Sequence, residues 1–71
     1  MSAHITSRAS AKFNHLRRGG IYRATTSGGT SVGEYLGMEA LYGDRAILLR
    51  HASGTESIYQ RDVVSIVPAA A

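Results

Sequence analysis

Ala46-Ile47-Leu48-Leu49-Arg50 is the stretch on which the reading of this chain turns. Successive side chains of a strand point to opposite sides. Four apolar residues in a row therefore describe a strand that is apolar on both faces, and both faces must be covered. In 71 residues, one cover is the domain's own small core. The other must be an N-terminal segment or a neighbouring subunit. A domain this small also needs a staple, and without Cys the staple left is oligomerisation.

Downstream of that run, Ala52-Ser53-Gly54-Thr55 reads as a turn and Glu56 to Tyr59 as a strand. Gln60-Arg61-Asp62 is too short for a loop plus strand and suits a single 3₁₀ turn. Val63 to Val67 is a fifth strand, ended by Pro68, with residues 69–71 as a tail. Upstream, Tyr42-Gly43-Asp44 turns the chain after a long strand from Thr30 to Leu41. Gly33 and Gly37 lie inside that strand, where glycine marks a bend or a close backbone approach. Ser27-Gly28-Gly29 is a tight turn, preceded by a first strand from Gly20 to Thr26.

Ser10 is placed to cap a short helix over Ala11 to Arg17, stopped by Gly19-Gly20. Phe13 and Leu16 share one face of it and are expected to dock on the outer face of the Ala46–Leu49 strand. The predicted organisation is thus a short helix or a flexible basic arm over 1–18, the helix forming only if Phe13 and Leu16 dock on something apolar, with an all-β domain over 19–68 and a tail over 69–71. Five short strands in meander order suggest a small bent antiparallel barrel of SH3-like or Sm-like type.

Charge divides the chain. Arg8, Lys12, Arg17, Arg18 and Arg23 face no acid in the first third, a charge of +5. From Ala24 onward three Arg meet five acids, a charge of −2. A basic front on a near-neutral body points to an anionic partner, or to a solubilising tail. The lack of Cys fits a cytoplasmic chain. No apolar run approaches the roughly 20 residues of a membrane span, and no apolar segment after Met1 suggests a signal peptide.

Two families share features with these residues. Gly28 and Gly33, the run Ala46–Arg50 and the segment Tyr59–Pro68 resemble the two motifs of the Sm-like family, in particular its bacterial Hfq-like branch. Leu16-Arg17-Arg18 resembles the arginine-bearing end of that branch's N-terminal helix. The resemblance covers most of Phe13 to Pro68. It implies a homo-oligomeric ring that binds single-stranded RNA, with Tyr59, Gln60, Arg61 and Arg45 at the pore and Arg17, Arg18 and Arg23 on the rim. Gln60 and Arg61 stand where the branch has Lys and His, and Arg45 aligns with its base-stacking aromatic. Ser27–Gly33 and Ile58-Tyr59 also resemble the type II dihydrofolate reductases, SH3-like tetramers around one pore. Ser57 replaces their ligand-contacting Gln, Thr25 or Thr26 their Lys, and Ser31 their interface Trp. That resemblance implies a related oligomer that binds another small molecule or a protein without reductase activity.

The residues carry no enzyme signature. His4, His15 and His51 lack metal-ligand spacing and read as surface histidines. No nucleophile and base can be paired, and the glycine pairs lack a phosphate-loop context. We expect no catalytic residues, metal or cofactor. Tyr59 offers a stacking face and Arg61 a phosphate or base contact. The competing reading packs Tyr59 in a subunit interface and pairs Arg61 with Asp62 or Glu56.

Overall fold

A computed structural model describes residues 13–69. The chain forms five strands: β1 (Ile21–Thr26), β2 (Gly29–Leu41), β3 (Asp44–His51), β4 (Gly54–Tyr59) and β5 (Val63–Pro68). A 3₁₀ turn, Gln60–Asp62, joins the last two. All pairings are antiparallel and build one sheet in the order β4-β3-β2-β1-β5.

The first four strands are a meander, as the turn residues indicate. The fifth is not: β5 pairs with β1 rather than with β4. β4 and β5 are therefore the two outer strands, and no ladder joins them. Yet only the three residues of the 3₁₀ turn connect them. Four Cα steps span at most about 15 Å. The outer strands of a flat five-stranded sheet lie roughly 19 Å apart. The sheet must therefore curl, bringing its edges toward each other while leaving it open.

β2 supplies the curl. Between Tyr35 and Gly37 its register against β3 slips by one residue, and Gly37 has φ 139°. Such a bulge bends the strand and raises its twist. Gly33 answers the other expectation. A Cβ there would lie 2.7 Å from the Arg50 carbonyl oxygen, so β3 approaches too closely for any side chain.

The concave face holds the core: Tyr22, Ala24, Tyr35, Ile47, Leu49, Ile58, Val63 and Ile66. Tyr22 and Tyr35 meet edge to face, with centroids 6.1 Å apart. Ile47 and Leu49 are completely buried. Leu48 is only partly buried, on the outer face, so β3 alternates more than its unbroken apolar run suggests. Ala46 shares that face but is sealed, lying between Glu39 and Tyr59 in the ladders.

The expected helix corrects to a turn. Leu16 N–H donates to the Phe13 carbonyl, an i to i−3 bond of 3.3 Å. The next helical bond is lost because Arg17 N–H donates instead to the Tyr22 hydroxyl at 2.9 Å. That hydroxyl in turn donates to the His15 carbonyl at 3.2 Å. Gly19, at φ 91°, then leads the chain into β1. Ser10, Ala11 and Lys12 lie outside the described residues. Phe13 and Leu16 do find an apolar dock, but it is the core cluster rather than the outer face of β3. Among the described residues no helix is long and apolar enough to cross a membrane.

Candidate functional site

The 3₁₀ turn and the Asp44 end of β3 lie together, and they gather four of the residues singled out from the sequence. Tyr59 closes β4 opposite Ala46. One residue on, the turn sends Gln60 and Arg61 in different directions. The Arg61 guanidinium carbon sits 4.9 Å from the Tyr59 ring centroid, a cation–π contact. Its Nη1 is 2.7 Å from Asp44 Oδ2, and both side chains are substantially exposed. The partner of Arg61 is thus Asp44, across the fold, and not Asp62 or Glu56. Gln60 Nε2 donates to Met38 Sδ at 3.0 Å, and a thioether is a weak acceptor.

Arg45 is exposed and lies opposite Ala40 in the ladder between β2 and β3. It shares its strand face with Ile47, two residues on, while Tyr59 shares its face with Ala46. The four residues therefore reach one end of the sheet from two sides. Met38, Glu39, Ala40 and Arg45 line a cleft of about 240 Å³ there. Glu39 also accepts a long hydrogen bond, 3.3 Å, from the Ser57 hydroxyl. Chemically, this end offers an aromatic face with a cation over it, a second guanidinium, and a small cleft with an apolar thioether wall.

Arg17, Arg18 and Arg23 are all exposed. Arg17 is placed by its backbone bond to Tyr22. The Arg18 guanidinium lies over Gly37, where a Cβ would come within 3.3 Å of its Nε. Burial pushes the Tyr35 phenol up from its ordinary value, and the neighbouring Arg18 charge partly opposes this. Arg23 stands on the outer face between Val32 and Val67, each 45% exposed. Val32 and Gly37 are separated by on the order of 15 Å along β2.

The sequence reading missed the opposite end of β3. His51 Nδ1 lies 2.8 Å from the Val32 carbonyl oxygen, and Nε2 lies 2.7 Å from Glu56 Oε1. Beside it Arg50 pairs with Glu34. His51 and Glu56 flank a tight turn, and the approach of their strands there was the available signal. His15 stacks edge-on against Tyr22, with centroids 5.7 Å apart. His4, Arg8 and Lys12 lie outside the described residues. Among the described residues no group of three or more His, Asp or Glu side chains is placed to hold a metal. No protein-family model, curated protein or solved structure matches the chain.

Proposed function

We propose that this protein is a nucleic-acid-binding module rather than an enzyme: an Sm-like or SH3-like barrel, assembled as a homo-oligomer, that takes single-stranded RNA. The observation that carries the reading is the Arg61 guanidinium over the Tyr59 ring, at the same end of the sheet as the Arg45 cleft. An aromatic ring accepts any base face, and an adjacent guanidinium serves phosphate or base edge. Arg45 has no ion-pair partner among the described residues, so its charge is available to an anion. Asp44 competes with phosphate for Arg61. Binding at this end therefore exchanges one exposed ion pair for another.

Assembly is supported by the open edges. β4 and β5 are the outer strands of the sheet and no ladder joins them, an arrangement that invites pairing with another chain. Edge-to-edge closure around an axis would satisfy both and repeat the Tyr59 end in every subunit. Arg17, Arg18 and Arg23 would add phosphate contacts outside that end.

The test is a binding series with short poly-U, poly-A and mixed RNA at two salt concentrations, with mass measured by light scattering. Dissociation constants tighter than about 100 μM at low salt are expected. Removing one rim arginine should weaken all RNAs alike and lower the salt slope by roughly 0.7. Absence of binding in that range, or a stable monomer at micromolar concentration, overturns the respective half of the proposal.

A further inference from the structure

We propose that His51 is a proton-operated clasp that holds the turn between β3 and β4 against β2. This rests on the far end of the sheet and is independent of any RNA binding. The ring bridges three strands. Nδ1 reaches the Val32 carbonyl on β2, and Nε2 reaches the Glu56 carboxylate on β4. A carbonyl oxygen and a carboxylate oxygen can only accept, while a neutral imidazole carries one N–H. Both contacts are satisfied at once only by the imidazolium. When the proton leaves, one ring nitrogen presents a lone pair to an oxygen, and that contact is lost.

The seat is built for the ring. At Gly33, next to Val32, a Cβ would come within 3.2 Å of His51 Nδ1 as well as clashing with the Arg50 carbonyl. The glycine leaves the space that lets the imidazole lie against β2. His51 pairs with Gly54 in the ladder, so the clasp sits at the first residue of β4. The neighbouring charges are Glu34 on β2 and Arg50 on β3, and these two pair with each other. Glu56 on β4 is then the anion that answers the ring.

The direction of the proton linkage agrees. The hydrogen bond to Glu56, then that to Val32, raises His51 above its ordinary value; burial opposes this in part, and the Glu56 charge adds to it. A raised histidine stabilises the folded state fully below its unfolded value of about 6.5. That contribution is lost as pH rises through the higher folded value. The clasp is therefore closed in mild acid and opens on the alkaline side. What it frees is the start of β4, an outer strand of the open sheet. Protonation thus sets how well ordered one sheet edge is.

The full chain is tested by NMR, following the His51 ring nitrogens and amide exchange together across pH. At about pH 6 both ring nitrogens should carry protons, and the midpoint should lie above 6.5. Protection of the amides from Ala52 to Glu56, corrected for intrinsic exchange, should fall several-fold in step with the ring. Protection at the turn between β1 and β2 should not. Glu56→Gln should lower the midpoint and uncouple the two signals. A midpoint at or below 6.5, or turn protection that ignores the ring, overturns the clasp. The wild-type titration decides this even where the variant does not fold.

Discussion

The two ends of β3 meet their surroundings in opposite ways. At the His51 end, the polar groups are matched within the fold: Arg50 with Glu34, and both His51 nitrogens with acceptors. At the Asp44 end, the matching is incomplete. Asp44 holds Arg61, but Arg45 has no acid partner among the described residues, and Gln60 gives its amide to a sulfur. Between the ends, Ile47 and Leu49 are sealed in the core. One strand thus carries a closed end, an apolar middle and an open end. Satisfied polar groups specify structure, whereas loosely held ones can be given up to a ligand at small cost.

The largest expected effect lies in the middle. Leu49→Ala or Ile47→Ala should cost about 2–5 kcal/mol, read by denaturant unfolding. Leu48→Ala, on the outer face, should cost clearly less in a monomeric preparation. Equal costs would mean that something covers the outer face in solution, and a loss confined to assembled material would point to a neighbouring copy.

Next comes the closed end. Gly33→Ala sets a methyl 2.7 Å from the Arg50 carbonyl. Overpacking of this kind costs typically 1–3 kcal/mol. An unchanged thermal midpoint would show that β2 and β3 separate easily there. The open end should respond in binding and not in folding. Tyr59→Ala is expected to weaken single-stranded RNA by roughly 1–3 kcal/mol per stacked base. Its unfolding curve should move little beyond the loss of packing on Ala46. Fluorescence anisotropy with labelled RNA separates the two readouts.

The smallest effect belongs to the exposed pair. Asp44→Asn removes an ion pair worth about 0–1 kcal/mol to stability. Because it frees Arg61, it should tighten RNA binding and steepen the salt dependence. Weakened binding would assign Asp44 a positioning role at the turn.

Much of the backbone was legible because it rests on local chemistry. Three residues between Tyr59 and Val63 admit little besides a 3₁₀ turn, and the glycine-bearing turns set the hairpins. Gly33 and Gly37 announced a close approach and a bend, and each does one of the two. What stayed hidden is non-local. The pairing of β5 with β1 depends on how far the sheet curls, which no short stretch encodes. The expected helix failed because the Tyr22 hydroxyl, five residues on, takes the Arg17 N–H. At the candidate site, Tyr59, Gln60, Arg61 and Arg45 do reach one end of the sheet. Their split between two sides follows from ladder register, and the Asp44 partner from tertiary placement.

The Tyr22 hydroxyl has a thermodynamic side as well. By accepting from Arg17 and donating to His15, it ties the backbone at two positions of the basic front, on either side of Leu16, to the core. A cation on a free tail must surrender its motion when it meets an anion, and that loss subtracts from affinity. The backbone at Arg17 has already given up part of its freedom on folding. If the chain takes RNA as proposed, the phenol would lower the ordering cost of that encounter by holding the backbone at Arg17 in advance.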